Sequence, residues 1–162
     1  MENVGLSEAE IQACQRELTQ LLSELPSIEG AVLSSADGLM VACEDKTGAL
    51  EGETIAAMSS SMISLADTLA GQAGRPEVEN IISEAESSTL VVLHAGDLIL
   101  TVIGKPETQI GLVLVAAKKA AKGIRKDTQE FSEGVTGMDI LKDPDALLER
   151  VRKEMEMMKK EK

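Results

Sequence analysis

Aromatic side chains are almost missing from this chain, which has one Phe and no Tyr or Trp in 162 residues. Bases of single-stranded nucleic acids are held largely by stacking on such rings, so that mode of binding has no platform here. Positive charge is also short. Sixteen Lys and Arg face 28 Asp and Glu, a net charge of −12, which repels a phosphate backbone and excludes general nucleic-acid binding. No apolar run reaches the roughly 18 residues that a membrane helix needs. The opening MENVGLSEAE has neither the basic nor the apolar region of a secretory signal. The expected location is the cytoplasm, with no membrane insertion. The two cysteines, Cys14 and Cys43, lie in patterned segments without metal-ligand spacing, so they read as reduced core residues. No metal or other cofactor is expected.

Catalytic signatures are just as scarce. His94 is the sole histidine; it ends a strand beside Ala95-Gly96 and reads as a turn-facing residue with no marked nucleophile to serve. Gly71-Gln-Ala-Gly74 follows a helix instead of opening one, and GxxxxGK[ST] does not occur. A phosphate-cradling loop is therefore absent, and the chain is not itself a GTPase. With 28 acids, the nearness of any two carboxylates carries no information. The expectation is a protein that is not an enzyme.

What the chain does have is core. Hydrophobic residues make up 43% and charged ones 27%, an ordinary globular composition at a length suited to one compact domain with an appendage. Ser7 with Glu10 forms a capping-box signature, followed by Ile11, Cys14, Leu18, Leu21, Leu22 and Leu25 at helical spacing, and Pro26 stops the helix. Ile28 to Ser34 and Leu39 to Glu44 flank Ser35-Ala36-Asp37-Gly38, a β-hairpin pattern. A second helix spans about Glu53 to Ala70 and is ended by Gly71, Gly74 and Pro76. Three strands follow, Glu79 to Glu84, Thr89 to His94 and Asp97 to Ile103; the last two are nearly continuous apolar runs, which require helices on both sides of the sheet. A third helix runs from about Thr108 to Lys126. Residues 127–143 lose periodicity and read as a linker. Asp143-Pro144 then opens an amphipathic tail helix over residues 144–162, with Leu147, Leu148, Val151, Met155 and Met158 on one side. The organisation is a 1–126 domain, a 127–143 linker and a 144–162 tail, of α/β class.

The hairpin IEGAVLSSADGLMVACE, the helix after it, the segment DLILTVIGKPETQIGLVLVAAKKA and the element order resemble the roadblock/dynein light chain family, over roughly residues 8–125. The resemblance implies an α+β sandwich with a five-stranded antiparallel sheet between helices. It further implies dimerisation through the second helix and the third strand, here Asn80, Ile81 and Ile82. The implied role, as in Mgl-type regulators, is that of a scaffold or regulator of a small Ras-like GTPase, acting by reshaping the GTPase's own site. Folds of this layered type also host pockets, so a small-ligand sensor or structural adaptor is the alternative.

Two stretches carry candidate contacts. From Thr54 to Ala66 thirteen consecutive residues are uncharged, which random placement would give on the order of a few times in a hundred. With Ile55, Met58, Met62, Leu65, Ala66 and Leu69 taken as the sheet-facing stripe, the outer face offers Ala56, Ser59, Ser60, Ile63 and Ala70. Such a face is expected to be covered by a partner, and the family resemblance makes that partner a second copy. Charge is also divided along the chain: residues 1–104 carry 17 acids against Arg16, Lys46 and Arg75, whereas residues 105–162 carry 13 bases against 11 acids. Lys118, Lys119, Lys122 and Arg125, with Lys126, crowd the end of the third helix. They read either as stabilisers of its C-terminus or as a docking patch for an acidic partner surface.

Overall fold

A computed structural model describes residues 5–75, 77–132 and 144–160. Pro76, Asp143 and most of the stretch read as a linker lie outside the described residues. The capping box forms as read: Ser7 Oγ accepts from Glu10 N at 3.3 Å while Ser7 N donates to Glu10 Oε2 at 2.6 Å. Helix α1 (Glu8–Glu24) starts there and leaves helical geometry at Leu25, because the residue before a proline is pushed to extended backbone.

Strands β1 (Ile28–Ser35) and β2 (Met40–Asp45) form the hairpin. Ser35 N donates to Leu39 O at 2.9 Å, and Gly38 takes a φ of 86° that side chains disfavour. Pairing slips after Leu33, from Leu33 opposite Ala42 to Ser34 opposite Met40, so Val41 is the extra residue of a bulge. Helix α2 (Gly52–Gln72) ends at Gly74, whose φ is 74°. Strands β3 (Asn80–Glu84), β4 (Thr89–Ala95) and β5 (Leu98–Gly104) follow, the last two joined at Gly96.

The five strands pair antiparallel in the order β2-β1-β5-β4-β3. This is the five-stranded α+β sandwich that the resemblance implies. Alternate side chains of β4 and β5 feed two cores. On one face Leu18, Leu21 and Leu22 of α1 and Val113, Ala117, Ala121 and Ile124 of helix α3 (Ile110–Ser132) cover Val91, Leu93, Leu100 and Val102. On the other, Ile63 of α2 covers Val92 and Ile99, with Val78 and Ile81 packed at the side. Strands β2 and β3 are left at the edges.

Helix α3 differs from the sequence reading at both ends. It begins at Ile110, since Thr108 is engaged elsewhere through its hydroxyl, which donates to Ser27 O at 3.3 Å. It then continues to Ser132, so the first residues of the expected linker are helical. The chain forms two compact units, residues 1–128 and 129–162. The second holds helix α4 (Pro144–Lys160), which exposes Met155, Met157 and Met158.

Candidate functional site

The uncharged helix is turned the other way round from the expectation. Ala56, Ser59, Ser60 and Ile63 are buried against the chain's own sheet, and Ala70 is half-buried. Outside lie Met58, Met62, Leu65 and Leu69, exposed by 63, 38, 71 and 71%. The reason is clearance. A Cβ placed on Gly38 would stand 2.8 Å from Ser60 Oγ and 3.1 Å from Ala57 Cα, so α2 rests almost directly on the hairpin turn. Small residues permit that approach, whereas Met or Leu at those positions would lift the helix away. Both faces lack charge, so hydrophobic pattern alone could not say which one faces inward. Size could have: the large apolar side chains repeat at Met58, Met62, Leu65 and Leu69 and the small ones at Ala56, Ser59 and Ser60.

At the open edge next to this helix, Asn80 and Ile81 of β3 are half-buried and Ile82 is 40% exposed. Ile81 sits opposite Val92 and joins the α2 core, while Ile82 sits opposite Val91 and faces the other side of the sheet. Strand β3 is thus an edge strand on the sheet face that α2 covers, with Ile81 reaching the core beneath that helix.

The basic residues do not form one docking face. Lys119 Nζ points to α1 and reaches Glu24 Oε1 at 2.8 Å. This holds the Glu24 carboxyl below its usual range, chiefly through the hydrogen bond from Lys119 and then that from Gln20. Lys118, Lys122 and Arg125 lie on another flank, where they line a cleft of about 780 Å³ with Ala121. Because α3 continues to Ser132, none of the four is in its last turn, where cations stabilise a helix terminus. The helix-capping explanation therefore lapses.

The rest of the lining is Leu93 and His94 of β4, Gly96, which packs against Arg125, Asp67 of α2 and the segment Glu77-Val78-Glu79. Strand β3 begins only at Asn80, opposite Leu93, so the end of β4 lacks a neighbour on that side, though β5 still pairs it on the other, and the cleft opens beside it. Asp67 ties the walls together: Oδ2 lies 2.9 Å from His94 Nε2, and Oδ1 accepts from Val78 N at 3.2 Å. His94 is therefore not merely turn-facing, and its partner, 27 residues away, carries no mark in the sequence. No Ser, Thr or Cys is among the lining residues, so the Asp-His pair has no nucleophile to activate. Glu79 Oε2 is 3.6 Å from Lys118 Nζ.

Both cysteines are free, and the Cys14 thiol is pushed up to about 11, by burial first and by Asp127 next. It stays neutral and unreactive. Among the described residues no group of acids, histidines or cysteines could hold a metal ion, and no helix is long and apolar enough to cross a membrane.

The Roadblock/LC7 domain model matches residues 15–104. Protein MJ1340 of Methanocaldococcus jannaschii, described as uncharacterised, is 28% identical over 104 residues, 64% of this chain and 90% of its own length. Among solved structures, Myxococcus xanthus MglB superposes with a TM-score of 0.72 at 21% identity, covering 82% of this chain and 98% of MglB. A structure of MglB with a tetrameric arrangement gives 0.71 at 22% identity, covering 77% and 94%. At such identities the structural likeness establishes the fold.

Proposed function

The chain belongs to the Roadblock/LC7 domain family, and from that premise we propose that it is a non-enzymatic, homodimeric regulator or scaffold of a small Ras-like GTPase. The observation that carries the dimer is the outer face of α2. Four large apolar side chains at helical spacing stand in solvent, within a stretch that has no charge from Thr54 to Ala66. Contiguous exposed apolar surface of this kind marks an interaction site. A second copy fits because the same chain also has an unpaired β3 edge, and the family resemblance pairs the second helix with the third strand at the interface. An isologous contact lays helix on helix and strand on strand in one operation, continuing the sheet and removing the open edge.

In this reading the interface belongs to Met58, Met62, Leu65 and Leu69 with the backbone of β3. The small residues Ala56, Ser59 and Ser60 act from within, by setting the height of the helix. The GTPase follows from the family resemblance, and MglB, whose fold this chain shares, is in keeping with it. The experiment has two steps. Light scattering at micromolar concentration is expected to give about twice the 17.2 kDa of the chain, and a monomer overturns the dimer. Capture of small GTPases by the immobilised chain, with GTP and with GDP, is expected to depend on the nucleotide. Equal or absent capture in both overturns the regulatory role.

A further inference from the structure

The cleft beside the end of β4 belongs to neither the α2 stripe nor the β3 backbone, and its chemistry is its own. Of the basic residues on α3, Lys119 is committed to Glu24 and Lys118 stands near Glu79. Lys122 and Arg125 have no ion-pair partner among the described residues, although the chain carries 28 acids. They are one helical turn apart and line the same wall. They also lie too far from the end of α3 to stabilise its terminus.

Across from them His94 is held by its Nε2 against Asp67. A nitrogen facing a carboxylate carries the proton, so Nε2 is the donor. Nδ1 has no partner among the described residues. Asp67 is itself occupied twice, by His94 and by Val78 N, so both of its oxygens are engaged, although its charge remains at that side of the cleft. A volume of about 780 Å³ falls in the range of small-molecule sites.

We propose that this cleft binds a small, compact oxyanion, phosphate or carboxylate in type, seated between Lys122 and Arg125 beside His94, whose Nδ1 can accept only from a protonated oxygen of the group. Arg supplies the planar fork that grips such a group and Lys the point charge. Glu77, Glu79 and Asp67 also line the cleft, so an anion is repelled from their side and its seat is on the α3 wall. The proposal does not rest on the GTPase reading, and its test uses the chain alone.

The sole histidine makes the test clean, because ring resonances in a nitrogen-detected NMR spectrum can come only from His94. Inorganic phosphate and malonate are titrated separately at constant ionic strength, with chloride as the control. The expected result is a saturable shift of the His94 ring signals with one or both oxyanions, weakened roughly tenfold or more in a Lys122→Ala/Arg125→Ala variant of unchanged melting temperature. Which probe saturates at lower concentration tells a phosphoryl from a carboxylate ligand. Three results overturn the site: no saturation with either probe, the same shifts with chloride, or the same affinity in the double variant. A Glu77→Gln variant is a second check, since removing that like charge is expected to tighten binding a few-fold, and no change or a loss counts against the assigned seat.

Discussion

On one face of the sheet, α1 and α3 bury leucines and a row of alanines, and α3 turns Lys118, Lys119, Lys122 and Arg125 to solvent. On the other, α2 buries alanine, serine and one isoleucine and turns methionines and leucines outward. The first face is sealed by bulk, the second by close approach. The difference teaches that one layer of this sandwich buries most of its large apolar side chains within a single chain, Leu112 and Val115 excepted, whereas the other spends its small residues on fitting the sheet and leaves its large ones over.

The sharpest break of that comparison is a truncation made on each side. Leu18→Ala opens a cavity in the closed face and is expected to cost about 2–5 kcal/mol in denaturant unfolding, at any protein concentration. Leu65→Ala in dilute solution is expected to stay within roughly 0.5 kcal/mol, as an exposed position should. Equal costs at high dilution would erase the distinction. The next effect concerns association. Leu65→Glu puts a charge where the second copy is expected, and the dissociation constant from sedimentation or light scattering should rise about a hundredfold, equivalent to roughly 2.8 kcal/mol. Retention of the dimer in this variant would move the interface elsewhere.

Gly38→Val probes the clearance beneath α2. The residue has a positive φ, and its missing Cβ makes room for Ser60, so a loss of roughly 1–2 kcal/mol is expected. An unchanged melting temperature would show that the helix has slack over the turn.

The smallest effect lies in the α1/α3 seam. The Glu17 carboxyl is held above its ordinary value of 4.5, by desolvation first and by Asp127 second. The folded state therefore holds this proton more tightly than the unfolded chain does. Stability falls as pH rises from the ordinary value through the raised one, and the full penalty persists above it. Glu17→Gln should raise the melting temperature slightly at pH 7 and flatten that part of the pH profile. A variant that melts lower at pH 7 would mean that the carboxylate makes contacts favourable enough to outweigh its burial.

Much of the architecture was legible because local chemistry agreed with it. Ser7 and Glu10 marked a helix start, Asp37-Gly38 a turn, and the doubly apolar runs of β4 and β5 a sheet covered on both sides. Orientation of α2 was not, since a helix without charge has no polar face to mark the outside, and the deciding quantity was the distance to Gly38. The cleft was illegible for a different reason. Asp67 and His94 meet only when α2 lies across β4, and although the i, i+4, i+7 spacing of Lys118, Lys122 and Arg125 puts them on one flank of α3, what that flank faces emerges only once its neighbours are in place. The same packing sends Lys119 toward α1.

The outward stripe of α2 also makes abundance a property of the fold. A chain without a companion displays Met58, Leu65 and Leu69, and hydrophobic side chains held in solvent are what chaperones and proteases recognise. Where a second copy covers the stripe, as proposed above, mass action ties the folded population to the amount of protein made. On that reading, copies in excess of what can assemble are the ones most open to removal, and the surface that assembly would hide limits how much of the chain persists.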